Sequence, residues 1–216
     1  MLARGVDNRP PRPDVAARLA QAAANAAAVL GEGDVAAHPA VAPWRAAYGA
    51  FGVKPSKYRS SIESLLRSAR AGRVAPINPL VDLYNAVSLE HRLPCGGEDL
   101  LAVEGDIRLT RAEGSEHFVP LGAAAEEPPQ RGEVVYADDA GVLCRCWNWR
   151  EADRTKLTPA TKDAFLCIEA LPPVSSEALG GALAALAALV QEGLGGTLRV
   201  ERLDRDRREI AWGPDD

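Results

Sequence analysis

Apolar and polar positions follow two different periods along the chain, helical in the first half and strand-like in the second. Before residue 92, large apolar residues recur every three or four positions, as on one face of an α-helix. The pattern predicts helices over residues 14–30, 39–51, 60–71 and 76–91. Ser60 with Glu63 fits a capping box, and Asn78 before Pro79 fits a helix N-terminus.

After residue 92 the period shortens to two, which is typical of strands. The pattern predicts strands over residues 106–111, 133–136, 142–147 and 164–169, a helix over 175–191, and a terminal hairpin from 197–203 and 207–212. The segment PCGGED, residues 94–99, is interpreted as a glycine turn. Residues 1–13 are polar and proline-rich and are predicted to be a disordered lead before a single domain over 14–216. Helices followed by strands indicate an α+β fold.

Composition restricts which binding partners and which cellular location can be expected for the protein. The formal net charge is −5, which argues against a broad basic face for long duplex nucleic acid but leaves room for a local basic patch. The N-terminal residues have no apolar signal region, and the apolar stretch 178–190 is too short to span a bilayer, so a cytoplasmic location without a membrane contact is expected. The four cysteines match no zinc spacing, and no nucleotide-binding loop or catalytic elbow occurs, so neither a metal nor a cofactor is expected.

The segment CRCWNWREADR concentrates unusual chemistry in a few residues. In an extended chain Arg145, Trp147 and Trp149 would face one way, and Asn148 and Arg150 the other. Flat rings stack on bases or line a pocket, asparagine both donates and accepts, and arginine binds phosphate or carboxylate. The alternative is that both tryptophans belong to the core and both arginines form surface ion pairs.

A second group of polar residues accompanies the helix at 76–91 and the strand at 164–169. Asn78 is best explained as a helix cap. Asn85 lies in mid-helix, where asparagine is a weak helix former, and its amide would need hydrogen-bond partners such as those of a pocket. Glu169 ends an apolar strand, where it is either solvated at a sheet rim or placed to orient water in a pocket.

Several of these runs together resemble the B3/B4 region of the phenylalanyl-tRNA synthetase β subunit. The matching pieces are Ile77-Asn78 with Val81-Asp82 and Asn85, then residues 94–99, 105–116, 133–146 and 158–170. The resemblance covers residues 60–171. The KPSKYRSSIESLL and WNWR runs are similar to the free-standing B3/B4-domain proteins, which occur apart from any synthetase.

The resemblance implies a B3/B4-like fold with a mixed or antiparallel sheet flanked by helices and a pocket between two sub-parts. In the synthetase this domain hydrolyses the ester of a wrongly attached amino acid on tRNA. Asn85 matches the pocket asparagine, and Glu169 matches the glutamate that helps to recognise the aminoacyl group. Tyr84 replaces a threonine and Gly96 a histidine, so the resemblance does not imply specificity for tyrosine.

We therefore expect a trans-acting aminoacyl-tRNA deacylase with the acceptor end of tRNA as its partner. The chain lacks the motifs of a complete synthetase. Glu169 and Asn85 are the expected catalytic residues. The expected substrate-binding residues are Tyr84, Arg145, Trp147, Asn148, Trp149, Arg150 and Lys162. The alternative is a module that binds an RNA end, a nucleotide or an amino acid without catalysis.

Overall fold

The computed structural model describes residues 1–213; residues 214–216, the end of the predicted domain, lie outside the described part. The helices are α1 (Pro13–Leu30), α2 (Ala42–Ala50), α3 (Ser61–Arg70), α4 (Pro79–His91) and α5 (Ser176–Leu194). The strands are β1 (Leu2–Arg4), β2 (Cys95–Asp99), β3 (Arg108–Arg111), β4 (Val134–Ala137), β5 (Val142–Arg145), β6 (Arg150–Glu151), β7 (Ala164–Ile168) and β8 (Thr197–Arg199).

Helices α3 and α4 begin directly after the predicted caps, because polar side chains satisfy their first backbone N–H groups, whereas α1 and α2 have no side-chain cap and α2 begins at Ala42. Ser60 Oγ accepts from the backbone N–H of Glu63, and Asn78 Oδ1 accepts from that of Val81. Capping of this kind satisfies donors that the helix itself leaves free. Asn78 is therefore a cap, as expected from the sequence.

The strands form two four-stranded sheets. The first has the order β2-β7-β1-β8 and the second the order β3-β4-β5-β6, and every neighbouring pair is antiparallel. The helices pack on the first sheet and on one another. The predicted α+β class with antiparallel sheets flanked by helices is confirmed.

The predicted disordered lead over residues 1–13 is wrong, because its first residues form a strand inside the first sheet. Leu2 pairs with Phe165 of β7 on one side and with Arg199 of β8 on the other, and both Leu2 and Ala3 are buried. A strand of three residues is too short to show the alternating pattern that identifies strands in a sequence.

The predicted glycine turn at residues 94–99 is also wrong, since Cys95–Asp99 forms β2 and pairs with β7. A side chain at Gly97 would place its Cβ 2.5 Å from Leu166 Cδ2 and 2.9 Å from the Phe165 carbonyl oxygen. The glycine therefore permits close approach of chain segments, not a reversal of the chain. In the predicted terminal hairpin, only Thr197–Arg199 forms a strand among the described residues.

Two hydrophobic clusters share α4 through different faces of that helix. Leu83 and Val87 pack with α5 and the first sheet, whereas Ala86 and Leu89 pack with α1, α2 and α3. By length and composition α5 is apolar enough to cross a membrane. Its residues Ala182, Leu186, Val190 and Leu194 are buried in the first cluster, so one face of this helix packs on the domain.

Candidate functional site

A narrow cleft lies where residues of the two sheets face one another. Strands β2 and β7 of the first sheet line one side, and β4, β5 and the turn after β5 line the other. The cavity within it is about 20 Å³, enough for on the order of one water molecule. Among the lining residues are three glutamates, namely Glu98, Glu151 and Glu169.

A left-handed turn after β5 determines which side chains enter the cleft. Cys146 and Trp147 have φ angles of 47° and 68°, and the backbone N–H of Trp149 donates to the Arg145 carbonyl at 3.0 Å. The predicted extended run through residue 149 is therefore wrong. Trp147 and Asn148 both reach into the cleft, and Trp149 and Arg145 pack together outside its lining.

Three side chains donate hydrogen bonds to the carboxylate of Glu169. Tyr136 Oη donates to Oε1 at 2.7 Å, Trp147 Nε1 to Oε1 at 2.5 Å, and Asn148 Nδ2 to Oε2 at 2.6 Å. A carboxylate has about four acceptor positions on its two oxygens, so one position, on Oε2, is left for a ligand.

Opposing effects act on the pKa of Glu169. Burial raises the pKa of its carboxyl above the usual value, and the hydrogen bonds from Asn148, Tyr136 and Trp147 lower it. Because burial disfavours the charged form, a cationic ligand that completes the donor set would be bound favourably.

The orientation of Asn148 is fixed from the helical side. Its Oδ1 accepts from Tyr48 Oη at 2.9 Å and from the backbone N–H of Ser61 at 3.4 Å. With the oxygen held by these two donors, the Nδ2 group points to Glu169. The start of α3 is thereby tied to the cleft.

Glu98 and Glu151 are the site residues that sequence reasoning missed. Glu98 on β2 is 5% exposed, and it meets Glu151 of β6 across the cleft. The Oε2 atom of each is buried and accepts no hydrogen bond from a protein donor. The sequence does place an acidic residue in each of these two strands. Because residues 94–99 were interpreted as a turn, Glu98 was not recognised as a strand residue.

The structure does not bring Arg145 into the cleft. The residue is 4% exposed. Its guanidinium forms two 2.9 Å hydrogen bonds with Glu133 and lies within 6.0 Å of the ring centroids of Tyr58, Phe118 and Trp149. Arg145 therefore forms an ion pair, as the alternative from the sequence expected, but the pair is buried and does not lie at the surface.

The other predicted site residues are not among those that line the cleft. Trp149 packs edge-on against Tyr58 with ring centroids 4.6 Å apart. Exposed Arg150 donates to the Leu121 carbonyl, and exposed Lys162 precedes β7. Tyr84 and Asn85 are partly buried on α4, and Tyr84 packs against the first hydrophobic cluster.

An arginine-lined groove, which we call the α3 groove, runs along the surface of α3. Its lining includes Arg59, Arg67, Arg70 and Arg73 with Ser64 and Ser68, and no acidic residue. Glu63, which binds Arg67 and Arg45, is fully buried beneath it. The exposed side of α3 therefore presents a local basic surface on an acidic protein.

Comparisons with known proteins relate the chain to one family. Residues 43–192 match the model of the B3/4 domain. A phenylalanine–tRNA ligase beta subunit of Fusobacterium nucleatum subsp. nucleatum is 29% identical over 127 residues, which make up 56% of this chain and 15% of that relative. The crystal structure of an N-terminal fragment of the phenylalanyl-tRNA synthetase beta-subunit from Pyrococcus horikoshii is similar with a TM-score of 0.44 and 18% identity, over 53% of this chain and 40% of the fragment.

Proposed function

Since the chain belongs to the B3/4 domain family, we propose that it hydrolyses the ester bond of mischarged aminoacyl-tRNA, acting in trans. The curated relative carries the name of a tRNA ligase subunit, and the chain spans about 15% of its length. The match therefore supports a reaction of this one domain on an aminoacylated RNA and not the ligase reaction itself.

The observation that carries the proposal is the donor set around Glu169. Three donors fill three acceptor positions of its carboxylate, one position remains, and Glu169 lines a cavity inside the protein. The α-ammonium group of an esterified amino acid is a cation with three donors, and it fits that position. Binding there would hold the acyl carbon beside the space for one water molecule, and positioning of this kind lowers the barrier to attack.

The cleft must widen to admit an amino acid, since its cavity holds on the order of one water. Trp147 closes the space, and its backbone has a left-handed φ that non-glycine residues rarely adopt. We expect the indole to leave Glu169 as substrate enters, which frees a second acceptor position for the α-ammonium beside the one on Oε2.

The α3 groove supplies a surface for the RNA phosphates. The first residue of α3 contacts Asn148 in the cleft, and a ten-residue helix is about 15 Å long. An RNA end with its terminal ester in the cleft would therefore reach the arginines of α3 within a few nucleotides. Exposed Arg150 and Lys162 are additional candidates for phosphate contacts.

The resemblance also assigns Asn85 to the pocket, and Asn85 lies on α4 outside the cleft lining. Its side chain is partly buried, and its amide could contact the ribose or the acyl group once the cleft widens. Asn85→Ala is the separate test of this residue.

The experiment is deacylation of a broad panel of mischarged tRNAs by the purified protein and by Glu169→Gln. We expect release of the amino acid from some members of the panel and a large loss of rate in the variant. Glu177→Gln, a change at an exposed glutamate of α5, is the matched control. An intact panel, or an unchanged rate in Glu169→Gln, would contradict the proposal.

A binding role without catalysis is the second candidate. The observation that favours it is the set of three donors on Glu169, which suits recognition of a ligand better than acceptance of a proton. Binding of an aminoacyl-tRNA or an RNA end without any hydrolysis in the panel is the outcome expected from it.

A further inference from the structure

We propose that Glu98 and Glu151 form an acid–base pair that shares one proton and activates the water molecule attacking the ester. The inference rests on the proposed function and deepens it, because Glu169 is occupied by hydrogen bonds and leaves the reaction without a base. Neither Glu98 nor Glu151 belongs to the residues that the family resemblance assigns.

Geometry brings the two carboxyl groups together from different sheets. Glu98 lies on β2, where its backbone is opposite Phe165 of β7, and Glu151 lies on β6, opposite Cys144 of β5. Both side chains line the cavity beside Glu169. A Cβ at Gly96 would be 3.2 Å from Glu151 Oε1, so the glycine leaves the space that the Glu151 carboxyl occupies.

The hydrogen bonding of the pair is incomplete without a proton. The Oε2 atoms of Glu98 and Glu151 are buried and meet no donor of the protein. Two buried carboxylates that face each other repel strongly when both are charged, and a single shared proton removes the repulsion and supplies the missing donor.

Titration of the pair agrees with this arrangement. Burial raises the pKa of Glu151 to about 7, and the nearby Glu169 adds to the shift. Burial first, and then Glu151, raise the pKa of Glu98 well above its usual range. The other charged or titratable groups facing the pair are Arg154, Tyr84, Cys144 and Cys167. Near neutral pH the pair therefore holds one proton and keeps one carboxylate free to accept another.

The step balances with water as the only co-reactant. The charged carboxylate takes a proton from the water, whose oxygen forms a bond to the acyl carbon. The ester C–O bond then breaks, and the protonated partner gives its proton to the departing ribose oxygen. The products are the free amino acid and a tRNA with a free hydroxyl, and the pair again holds one proton.

The test compares Glu98→Gln, Glu151→Gln and the control Glu177→Gln in single-turnover hydrolysis of the esters that the wild-type protein cleaves. We expect each cleft variant to be slower by at least about 100-fold, because general acid–base catalysis contributes roughly 10²–10⁴-fold. Binding of the aminoacyl-tRNA should be unchanged. The hydrolysis rate of each cleft variant should no longer show the pH dependence that arises from ionisation of the Glu98–Glu151 pair. Rates within about twofold of wild type in both variants would overturn the proposal while the proposed function stands.

A second measurement, the pH dependence of unfolding by urea, tests the shared proton without any substrate. The pKa of Glu151 is about 7 in the folded protein against the ordinary 4.5, so the folded state binds more protons than the unfolded state between these values. The free energy of unfolding should therefore fall as pH rises from about 4.5 to about 7. Glu151→Gln should make this fall smaller, since only Glu98 of the pair still titrates, and Glu177→Gln should retain the full fall.

The two failures are distinguishable. If the wild-type protein cleaves no ester, the proposed function and the catalytic part of this proposal are both wrong, even when the pH series shows the shared proton. A wild-type protein that cleaves esters but has the same stability profile as Glu151→Gln overturns the shared proton alone.

Discussion

Trp147 donates its indole N–H to Glu169 Oε1 at 2.5 Å while its own backbone has a φ of 68°. A left-handed conformation costs a non-glycine residue roughly 1–3 kcal/mol. The hydrogen bond and an edge-on contact with Trp44, at 5.1 Å between ring centroids, offset that cost. The residue that closes the cleft is thus held by a few specific contacts, and opening the cleft would exchange those contacts for ligand contacts.

Replacing Trp147 with phenylalanine keeps a ring and removes the N–H donor to Glu169. We expect a loss of stability of about 1.5–3 kcal/mol, the range for hydrogen bonds to charged groups. Urea unfolding near neutral pH measures it. Trp149→Phe is the matched control, since Trp149 contacts Tyr58 through its ring. Equal losses in the two variants would show that ring size, not the hydrogen bond, accounts for the effect.

Replacing Arg145 with methionine leaves the carboxylate of Glu133 buried without its guanidinium partner. The loss of one member of a buried ion pair costs roughly 3–5 kcal/mol. Arg150→Met removes an exposed arginine of the same strand region and should change stability by less than about 0.5 kcal/mol. Thermal unfolding of both variants is the measurement, and a stable Arg145→Met would contradict a structural ion pair.

Replacing Gly97 with alanine should destabilise the protein, because the added Cβ would meet Leu166 and the Phe165 carbonyl at less than 3.0 Å. Overpacking of a well-filled core typically costs about 1–3 kcal/mol. Gly180→Ala makes the same chemical change within α5 at a position open to solvent, and it should stabilise the helix by up to about 1 kcal/mol. Opposite signs in the two unfolding curves are the expected result.

The arginines of the α3 groove should make the binding of an aminoacyl-tRNA dependent on salt concentration. Arg59→Gln and Arg73→Gln should weaken binding of an aminoacyl-tRNA, and each should lower the slope of log K against log salt by about 1 if its arginine binds one phosphate. Arg131→Gln, a change at an exposed arginine outside the groove, is the control. An unchanged salt slope in the groove variants would remove the groove from the proposed RNA-binding surface.

The helices could be predicted from the sequence because their signals are local. The caps Ser60 and Asn78 act within four residues of themselves, and the apolar period of each helix is visible in a short window. Glycines in the segment 94–99 were misleading, because Gly97 relieves a contact with a strand about seventy residues away and looks the same in sequence as a turn glycine.

Some residues of the candidate site could be predicted from the sequence and others could not. Glu169, Trp147 and Asn148 were identified by unusual composition and by the family resemblance, and they meet in one cleft. The assignment of faces within residues 145–150 failed because two left-handed residues end the strand. Glu98 and Glu151 are brought together by contact between two sheets, for which neither residue carries a local signal.

The place of β1 within its sheet has a consequence for how the chain acquires its structure. Residues 2–4 pair with residues 164–165 on one side and with residues 197–199 on the other. Contacts between such distant positions make folding slow, because a long loop must close before they form. During synthesis, the wall of the cleft that carries Glu169 cannot form until β7 (Ala164–Ile168) has left the ribosome, and the edge strand β8 (Thr197–Arg199) joins the first sheet later still. Until β7 is available, the apolar residues of α4 that pack on this sheet, such as Leu83 and Val87, are exposed to aggregation.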